Sequence, residues 1–124
     1  MRIMSVDDSK TTRLFIRRAI DVLGFEFIEA SDGKEGIEIL EREKGNVDLI
    51  LLDLNMPVMG GMEMLEKMKS LKPYNDIPVT VVSTELERDK IFEAISKGAK
   101  NYLIKPFTQE ELIGKIMENL NMAI

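Results

Sequence analysis

Five short apolar runs alternate with longer amphipathic segments along this chain, and this alternation restricts the folds that it can adopt. The runs are residues 2–6, 26–30, 48–52, 78–82 and 101–104. Each has the length of a strand, and the segments between them have helical period. Strands connected through helices run parallel with right-handed crossovers, so that helices cover both faces of the sheet. The pattern therefore predicts an α/β fold with five parallel strands and five helices.

Apolar spacing and helix-end residues indicate where the helices lie. We predict buried stripes formed by Phe15, Ala19, Val22 and Leu23 in the first helix, by Met64, Met68 and Leu71 in the third, and by Leu112, Ile113, Ile116, Met117 and Leu120 in the last. Glycine favours the left-handed conformation that ends a helix, and the helix-end candidates are Gly24, Gly45 and Gly98. Thr108 and Glu111 have the spacing of a capping box, which predicts the start of the last helix.

The apolar character of each run indicates its position in the sheet. Residues 49–52 read Leu-Ile-Leu-Leu, as a central strand buried on both faces requires. The second run carries Glu26 and Glu29, which favours one edge of the sheet, and the short fifth run favours the other edge. This distribution fits the order 2-1-3-4-5 of a flavodoxin-like, doubly wound sheet, although burial alone does not select that order.

Length and composition limit the classes of function. The 124 residues have room for a single domain, which we place at 1–124 without an output domain. The chain contains no cysteine and no histidine, which excludes thiol nucleophiles, cysteine-ligated metals and a phosphohistidine of its own. The net charge of −5, without a basic patch, predicts no nucleic-acid partner. The apolar N-terminal run is too short for a signal peptide or a membrane span, so we expect no membrane partner and a cytoplasmic location.

Polar side chains stand at the carboxyl ends of four of the five predicted strands. Asp7 and Asp8 follow the first strand and Asp53 follows the third, whereas the fourth strand ends in Ser83 and Thr84 and the fifth ends in Lys105. In an open parallel sheet, ligands bind beyond these ends, where the strand order reverses. We therefore expect these side chains to share one edge of the sheet.

Each of these residues, taken alone, also fits a purely structural role. Asp7 or Asp8 could cap the helix that follows, and Asp53 could be a turn residue. Ser83 could cap the fourth helix, and Lys105 could be a solvated loop lysine. These roles lose force when the residues are considered together, because three crowded carboxylates repel each other unless a positive charge lies between them.

The combined residue types point to phosphoryl transfer. Oxygen ligands without histidine or cysteine favour Mg²⁺ over Zn²⁺. Ser83 adds a hydroxyl donor and Lys105 a second positive charge, and phosphoryl transfer depends on such positioning and charge neutralisation. A carboxylate can itself accept the phosphoryl group and become an aspartyl-phosphate. Asp53 ends the most apolar strand, at the centre of the predicted sheet, and is therefore our candidate phosphoacceptor.

As a set, these motifs resemble the receiver domain of two-component response regulators over essentially the whole chain. The matching motifs are Asp7-Asp8, Asp53-Leu54-Asn55-Met56-Pro57 with Gly61, Ser83, and Lys105-Pro106-Phe107. Among members of the family, the stand-alone chemotaxis-type regulators are the most similar, because of Arg13, Asn55, Glu85 and Tyr102. The resemblance implies a phosphoaspartate-accepting switch and not an enzyme that acts on a separate substrate. Its catalysis would be limited to its own phosphorylation and dephosphorylation.

The resemblance also implies which residues bind Mg²⁺. Asp8 and Asp53 match direct ligands of the metal. Asp7 matches an acidic residue that reaches the metal through water, and Asn55 matches a position whose backbone carbonyl binds it.

The same comparison implies the catalytic residues. Asp53 matches the phosphoacceptor, Ser83 the switch hydroxyl and Lys105 the phosphate-binding lysine, whose bond to the following proline is often cis in the family. Asn55 and Glu85 match positions that tune hydrolysis of the aspartyl-phosphate, which predicts a short-lived phosphoryl group.

The implied partners are a sensor histidine kinase and a downstream protein target. Phosphorylation at Asp53 would draw Ser83 inward and let Tyr102 turn, which changes the face formed by the fourth helix, fifth strand and fifth helix. Ile91, Ile95 and Lys115 fall in this region, although the spacing of the two isoleucines fits a core role equally well.

Other functions remain open at this point. A phosphorelay intermediate would use the same residues. A Mg²⁺-dependent phosphohydrolase with an Asp nucleophile would need a second Asp where this chain has Asn55. A flavodoxin-like binding module would need a hydroxyl-rich phosphate loop where the chain has Asp7 and Asp8.

Overall fold

The computed structural model describes residues 1–122, which form five strands and five α-helices in strict alternation. The strands are β1 (Arg2–Val6), β2 (Glu26–Ala30), β3 (Leu49–Asp53), β4 (Val79–Thr84) and β5 (Asn101–Lys105). The helices are α1 (Lys10–Leu23), α2 (Gly33–Arg42), α3 (Gly61–Ser70), α4 (Arg88–Ser96) and α5 (Gln109–Asn119), and a 3₁₀ turn at Glu85–Glu87 precedes α4. The domain predicted at 1–124 includes residues 123 and 124, which lie outside the described residues.

The strands form one parallel sheet in the order β2-β1-β3-β4-β5, as predicted. Side chains of the central strand β3 alternate between its two faces. Ile50 and Leu52 belong to one apolar core, and Leu49 and Leu51 belong to the other. A strand buried on both faces in this way carries a continuous apolar run, which is why β3 could be identified in the sequence.

Helices cover both faces of the sheet. The core that includes Ile16, Ala19 and Ile20 joins α1 and α5 to one face. The core that includes Met64 and Leu65 joins α2, α3 and α4 to the other. Within residues 1–122, no helix combines the length and the apolar character needed to cross a membrane.

The stripe predicted for α1 is wrong at two of its four positions. Phe15 and Val22 are 38% and 67% exposed, whereas Ile16, Ala19 and Ile20 are buried. Successive residues of an α-helix are 100° apart, so an error of one residue in phase selects a different face. Phe15 lies at the edge of the helix, where its ring contacts the Phe107 ring edge-on with centroids 5.7 Å apart.

Most strand ends agree closely with the prediction. β3 begins and ends one residue later than expected, whereas β4 and β5 end at Thr84 and Lys105, among the polar residues predicted for their carboxyl ends. Gly24 is the C-cap of α1 as predicted, and Gly45 and Gly98, which follow the ends of α2 and α4, also have positive φ angles of 72° and 113°. The capping box of Thr108 and Glu111 at the start of α5 is confirmed.

Candidate functional site

A cavity of about 220 Å³ opens at the carboxyl ends of the central strands. Its lining residues are mostly polar and come from the segments that follow or end β1, β3, β4 and β5. They are Asp8, Asp53, Asn55, Ser83, Thr84, Glu87 and Lys105. The structure therefore brings together the side chains that the sequence places at separate strand ends.

Asp7 is buried beside this cavity, and hydrogen bonds from Ser9 and Arg13 fix its position. Its Oδ1 accepts a hydrogen bond of 2.8 Å from the Ser9 backbone N–H. Its backbone carbonyl accepts a bond from Arg13 Nη1 at 2.5 Å. Ser9 is the N-cap of α1 and accepts from the Thr12 N–H. The capping role considered for Asp7 or Asp8 thus belongs to Ser9.

Asp53 is the last residue of β3 and is 5% exposed. Its Oδ1 accepts the Asn55 backbone N–H at 3.3 Å, and its Oδ2 lies 3.7 Å from Lys105 Nζ. The start of α3 packs closely behind it, since a Cβ added to Gly61 would lie 2.1 Å from the Asp53 carbonyl oxygen. Glycine at position 61 therefore lets α3 approach the backbone that carries Asp53.

Lys105 links the two buried carboxylates. Its Nζ donates to Asp7 Oδ2 at 3.1 Å and forms the longer ion pair with Asp53. The Lys105–Pro106 peptide bond is cis, as the family resemblance implied.

Burial and the neighbouring charges shift the pKa of the Asp53 carboxyl. Burial is the main cause that raises the pKa of the Asp53 carboxyl from 3.8 to about 6, and the Asp7 carboxylate raises it further. The Lys105 ammonium and the hydrogen bond from Asn55 lower that pKa, but they compensate only in part. An additional positive charge nearby would therefore favour the ionised form of Asp53.

The acidic side chains fit a divalent cation with a preference for oxygen ligands. Asp7, Asp8 and Asp53 each offer a carboxylate oxygen, and these oxygens lie within 4.8 Å of one another. Asp8 is exposed and gives the group access to solvent. Carboxylates alone, in a chain without histidine or cysteine, suit Mg²⁺ better than Zn²⁺.

Ser83 and Tyr102 occupy neighbouring strands on one side of the sheet. Ser83 is buried and lies opposite Ile104 in the β4–β5 register. Ile104 packs against the core beneath α4, and Tyr102 shares its face because strand side chains alternate. Tyr102 is 44% exposed, and the Lys115 ammonium lies 5.6 Å from its ring centroid.

The cavity also contains a glutamate that the sequence reasoning missed. Glu85, singled out by resemblance, is exposed and pairs with Arg88, whereas Glu87 is among the residues that line the cavity. The 3₁₀ turn at Glu85–Glu87 brings Glu87 back towards the site. Three residues are too few for any periodic signal, so no pattern in the sequence could have found Glu87.

Comparison with known proteins gives these residues a family context. The response regulator receiver domain family matches residues 3–117 of the chain. The chain belongs to this family. As a receiver, it is a phosphoaspartate switch of two-component signalling and not a conventional enzyme, which sets aside the phosphohydrolase and the flavodoxin-like binding module considered from the sequence.

Relatives of similar length support the same conclusion. The chain is 38% identical to the chemotaxis protein CheY of Pseudomonas aeruginosa, with 98% of this chain and 99% of that protein covered. It is 35% identical to a chemotaxis protein CheY homolog of Campylobacter jejuni, covering 97% and 92%. The solved structure of chemotaxis protein CheY4 from Vibrio cholerae superposes with a TM-score of 0.87 at 30% identity, covering 96% of this chain and 98% of that one.

Receiver domains of this family generally bind Mg²⁺ at an acidic pocket, and they interact with histidine kinases and downstream targets. The acidic cluster of Asp7, Asp8 and Asp53 stands where such a pocket is expected in this receiver. The individual roles of the site residues stay predictions.

Proposed function

We propose that this receiver accepts a phosphoryl group on Asp53 from a phosphohistidine of a sensor kinase. The observation that supports this most strongly is the buried Asp53 carboxylate beside Asp7, Asp8 and Lys105 at the mouth of one small cavity. Because the pKa of Asp53 is raised only to about 6, the carboxylate is mostly ionised at neutral pH and can act as a nucleophile.

The residues around Asp53 divide the remaining tasks. An Asp53 oxygen attacks phosphorus as the bond to the donor nitrogen breaks, and the Asn55 N–H orients that carboxylate. Lys105 Nζ, 3.7 Å from Asp53 Oδ2, neutralises charge on the phosphoryl oxygens. After transfer, the Ser83 hydroxyl donates a hydrogen bond to an oxygen of the phosphoryl group on Asp53.

Asp7, Asp8, Asp53 and the backbone carbonyl of Asn55 are the proposed holders of Mg²⁺. When bound, the ion supplies positive charge that offsets both the carboxylates and the incoming phosphoryl oxygens. The cavity of about 220 Å³ beside these residues limits the orientations in which a donor can approach Asp53.

Mass measurement of the intact protein tests the assignment. We expect one phosphoryl adduct after incubation with Mg²⁺ and acetyl phosphate, and no adduct on Asp53→Asn. Asp48→Asn is the matched control, since Asp48 stands at the opposite end of β3, where it accepts the Arg2 backbone N–H. An adduct on Asp53→Asn equal to that on the wild type, or no adduct on the wild type, would remove the proposal.

Phosphorylation would act by shifting the population between two states of the same fold. Movement of Ser83 towards the phosphoryl group frees space beside Ile104, which lies opposite it in the sheet. Tyr102 can then leave the Lys115 ammonium and turn towards α4. This change would alter the surface of α4, β5 and α5, where Phe92 and Ile95 are exposed and a downstream protein target would bind.

Hydrogen exchange can separate the switch from the chemistry. In excess acetyl phosphate, we expect peptides from α4 and β5 to change protection in the wild type but not in Tyr102→Ala, with equal adduct levels. Ile91 is buried in the core, so of the two isoleucines named from the sequence only Ile95 remains a candidate contact for the partner. The same protection change in Tyr102→Ala would contradict a role for this residue.

A groove next to the cavity suits the phosphodonor protein. It has a volume of about 440 Å³ and is lined by Thr11, Thr12, Phe15, Thr84, Lys105, Pro106 and Phe107. Thr84 and Lys105 line both the groove and the phosphoacceptor cavity. A kinase segment with apolar side chains could therefore pack on the two phenylalanines while its phosphohistidine reaches Asp53.

Relatives named as chemotaxis proteins favour chemotaxis as the pathway, with a phosphorelay as the second candidate. We propose a short-lived aspartyl-phosphate, because the cavity has an exposed mouth at Asn55 and Thr84 through which water can enter. An adduct that persists for many hours in Mg²⁺ would contradict rapid hydrolysis and would favour a storage role.

A further inference from the structure

Glu87 contributes a fourth carboxylate to the region of the phosphoacceptor. Its side chain lines the cavity shared by Asp53, Ser83 and Lys105 and is 21% exposed. It enters from the β4–α4 connection, whereas the three aspartates follow β1 and end β3. Its Oε2 lies 3.2 Å from Lys90 Nζ, but that lysine is 58% exposed, so water screens the ion pair and Lys90 neutralises the Glu87 carboxylate only in part.

In phosphoryl transfer the leaving group stands in line with the attacking oxygen, so the leaving group of a donor that reacts with Asp53 faces the cavity that Glu87 lines. Acyl phosphates and nitrogen-phosphorylated donors differ in the charge of that group. The leaving oxygen of an acyl phosphate becomes a carboxylate anion. The leaving group of a phosphoramidate, or of a protonated phosphoimidazole, carries positive charge and at least one N–H donor before the bond breaks.

We propose that Glu87 determines phosphodonor specificity, favouring nitrogen-phosphorylated donors over acyl phosphates. This inference rests on the proposed phosphoacceptor role of Asp53. The Glu87 carboxylate attracts the cationic N–H group of the first class, and it repels the anion that develops on the second. The effect is strengthened inside a cavity, where charges are less screened than in water.

The balanced step explains why the carboxylate discriminates. With phosphoramidate, an Asp53 oxygen forms the new bond to phosphorus while the electron pair of the N–P bond returns to nitrogen, and neutral ammonia leaves with its three protons. With acetyl phosphate, the electron pair of the O–P bond stays on oxygen, and acetate leaves as an anion. Glu87 neither gains nor loses a proton in either reaction.

A purely structural role for Glu87 makes a different prediction. If its ion pair with Lys90 only stabilised the first turn of α4, its removal would change both phosphorylation rates by the same factor. Glu93 provides the matched control, because it lies on α4, the helix that Glu87 precedes, and pairs with Lys97 at 3.5 Å, but it is not among the residues that line the cavity.

The experiment compares second-order rate constants for phosphoramidate and acetyl phosphate in the wild type, Glu87→Gln and Glu93→Gln. Quenched samples are measured as intact masses, with Mg²⁺ saturation checked for each variant. We expect the phosphoramidate-to-acetyl-phosphate ratio to fall about fivefold or more in Glu87→Gln, and to stay within about twofold in Glu93→Gln, as one nearby charge in a partly screened site implies. Glu87→Lys should lower the ratio further.

Three results overturn the proposal: an unchanged ratio in both Glu87 variants, an equal change in both rates, or the same fall in Glu93→Gln. Failure of the wild type to accept a phosphoryl group from either donor is a different outcome, since it removes the proposed function itself. Circular dichroism identifies any variant that fails to fold, and the other Glu87 variant then decides the question.

Discussion

The two ends of the sheet each bring several carboxylates to one basic residue, but with different results. At the amino end, the Arg2 backbone N–H donates to Asp48 at 2.7 Å, and its guanidinium pairs with Glu26 at 2.9 Å and with Glu43. At the carboxyl end, the Lys105 ammonium faces Asp7 at 3.1 Å and Asp53 at 3.7 Å.

The two ends differ in how deeply their carboxylates are buried and in whether each carboxylate has its own N–H donor. Glu26 is exposed and Glu43 is only partly buried, and each has its own N–H group on the planar guanidinium. Asp7 and Asp53 are buried and share one ammonium, and the pKa of Asp53 rises to about 6, chiefly through burial. The amino end is thus a satisfied structural contact, whereas the carboxyl end retains negative charge that a cation or a phosphoryl transfer can use.

The largest expected effect comes from the backbone behind Asp53. Gly61→Ala would place a Cβ 2.1 Å from the Asp53 carbonyl oxygen, which requires the backbone to move. We expect a loss of about 3 kcal/mol in the free energy of unfolding and slower phosphorylation, measured by urea denaturation and by intact mass.

Gly114→Ala is the control for this substitution. Gly114 lies inside α5, and a Cβ added there would meet no heavy atom within 4 Å in the described part of the chain outside its own helix backbone and immediate neighbours. We expect it to stabilise the protein by about 0.5–1 kcal/mol through helix propensity. Equal effects at the two glycines would show that α3 does not need this close approach.

An effect of opposite sign, and at most of similar size, is expected for Asp53→Asn in the presence of EDTA. The pKa of the Asp53 carboxyl rises from its ordinary value of 3.8 to about 6 in the fold, so folding favours the protonated carboxyl. The cost is absent below pH 4, grows as pH rises, and is complete above pH 6, where it amounts to roughly 3 kcal/mol at most.

Asp53→Asn should therefore be more stable than the wild type at pH 7, and the difference should disappear towards pH 4. Urea unfolding across this range measures it. A constant difference at all pH values would mean that folding does not raise the pKa of the Asp53 carboxyl. Asp48→Asn should instead destabilise the protein at pH 7, because it weakens the acceptor of the Arg2 N–H.

The smallest effect is expected at the amino end itself. Arg2→Met removes the ion pairs with Glu26 and Glu43, which water partly screens. We expect a small decrease in thermal stability and an unchanged rate of phosphorylation. A large fall in that rate would break the distinction between the two ends of the sheet.

Much of this architecture can be predicted from the sequence because it depends on patterns that extend over many residues. The apolar run of β3 and the charged edge strand β2 determine burial, and burial fits the observed order. Asp7, Asp53, Ser83 and Lys105 were predicted to meet because parallel strands end at one edge of the sheet.

The features that could not be predicted depend on short-range geometry. Phe15 and Ile16 are neighbours, and only packing against the sheet decides which of them is buried. The position of Glu87 depends on a 3₁₀ turn of three residues, and the need for glycine at position 61 depends on a contact with Asp53 across a loop.

Calorimetric titration with Mg²⁺ tests the central claim most directly. The account predicts that the wild type and Asp48→Asn bind one Mg²⁺ with similar affinity, and that Asp53→Asn and Asp8→Asn bind it at least about tenfold more weakly, since each loses one carboxylate ligand. Equal affinity in all four proteins would contradict the account, because the buried carboxylates at the carboxyl end would then be no different from the paired carboxylates at the amino end.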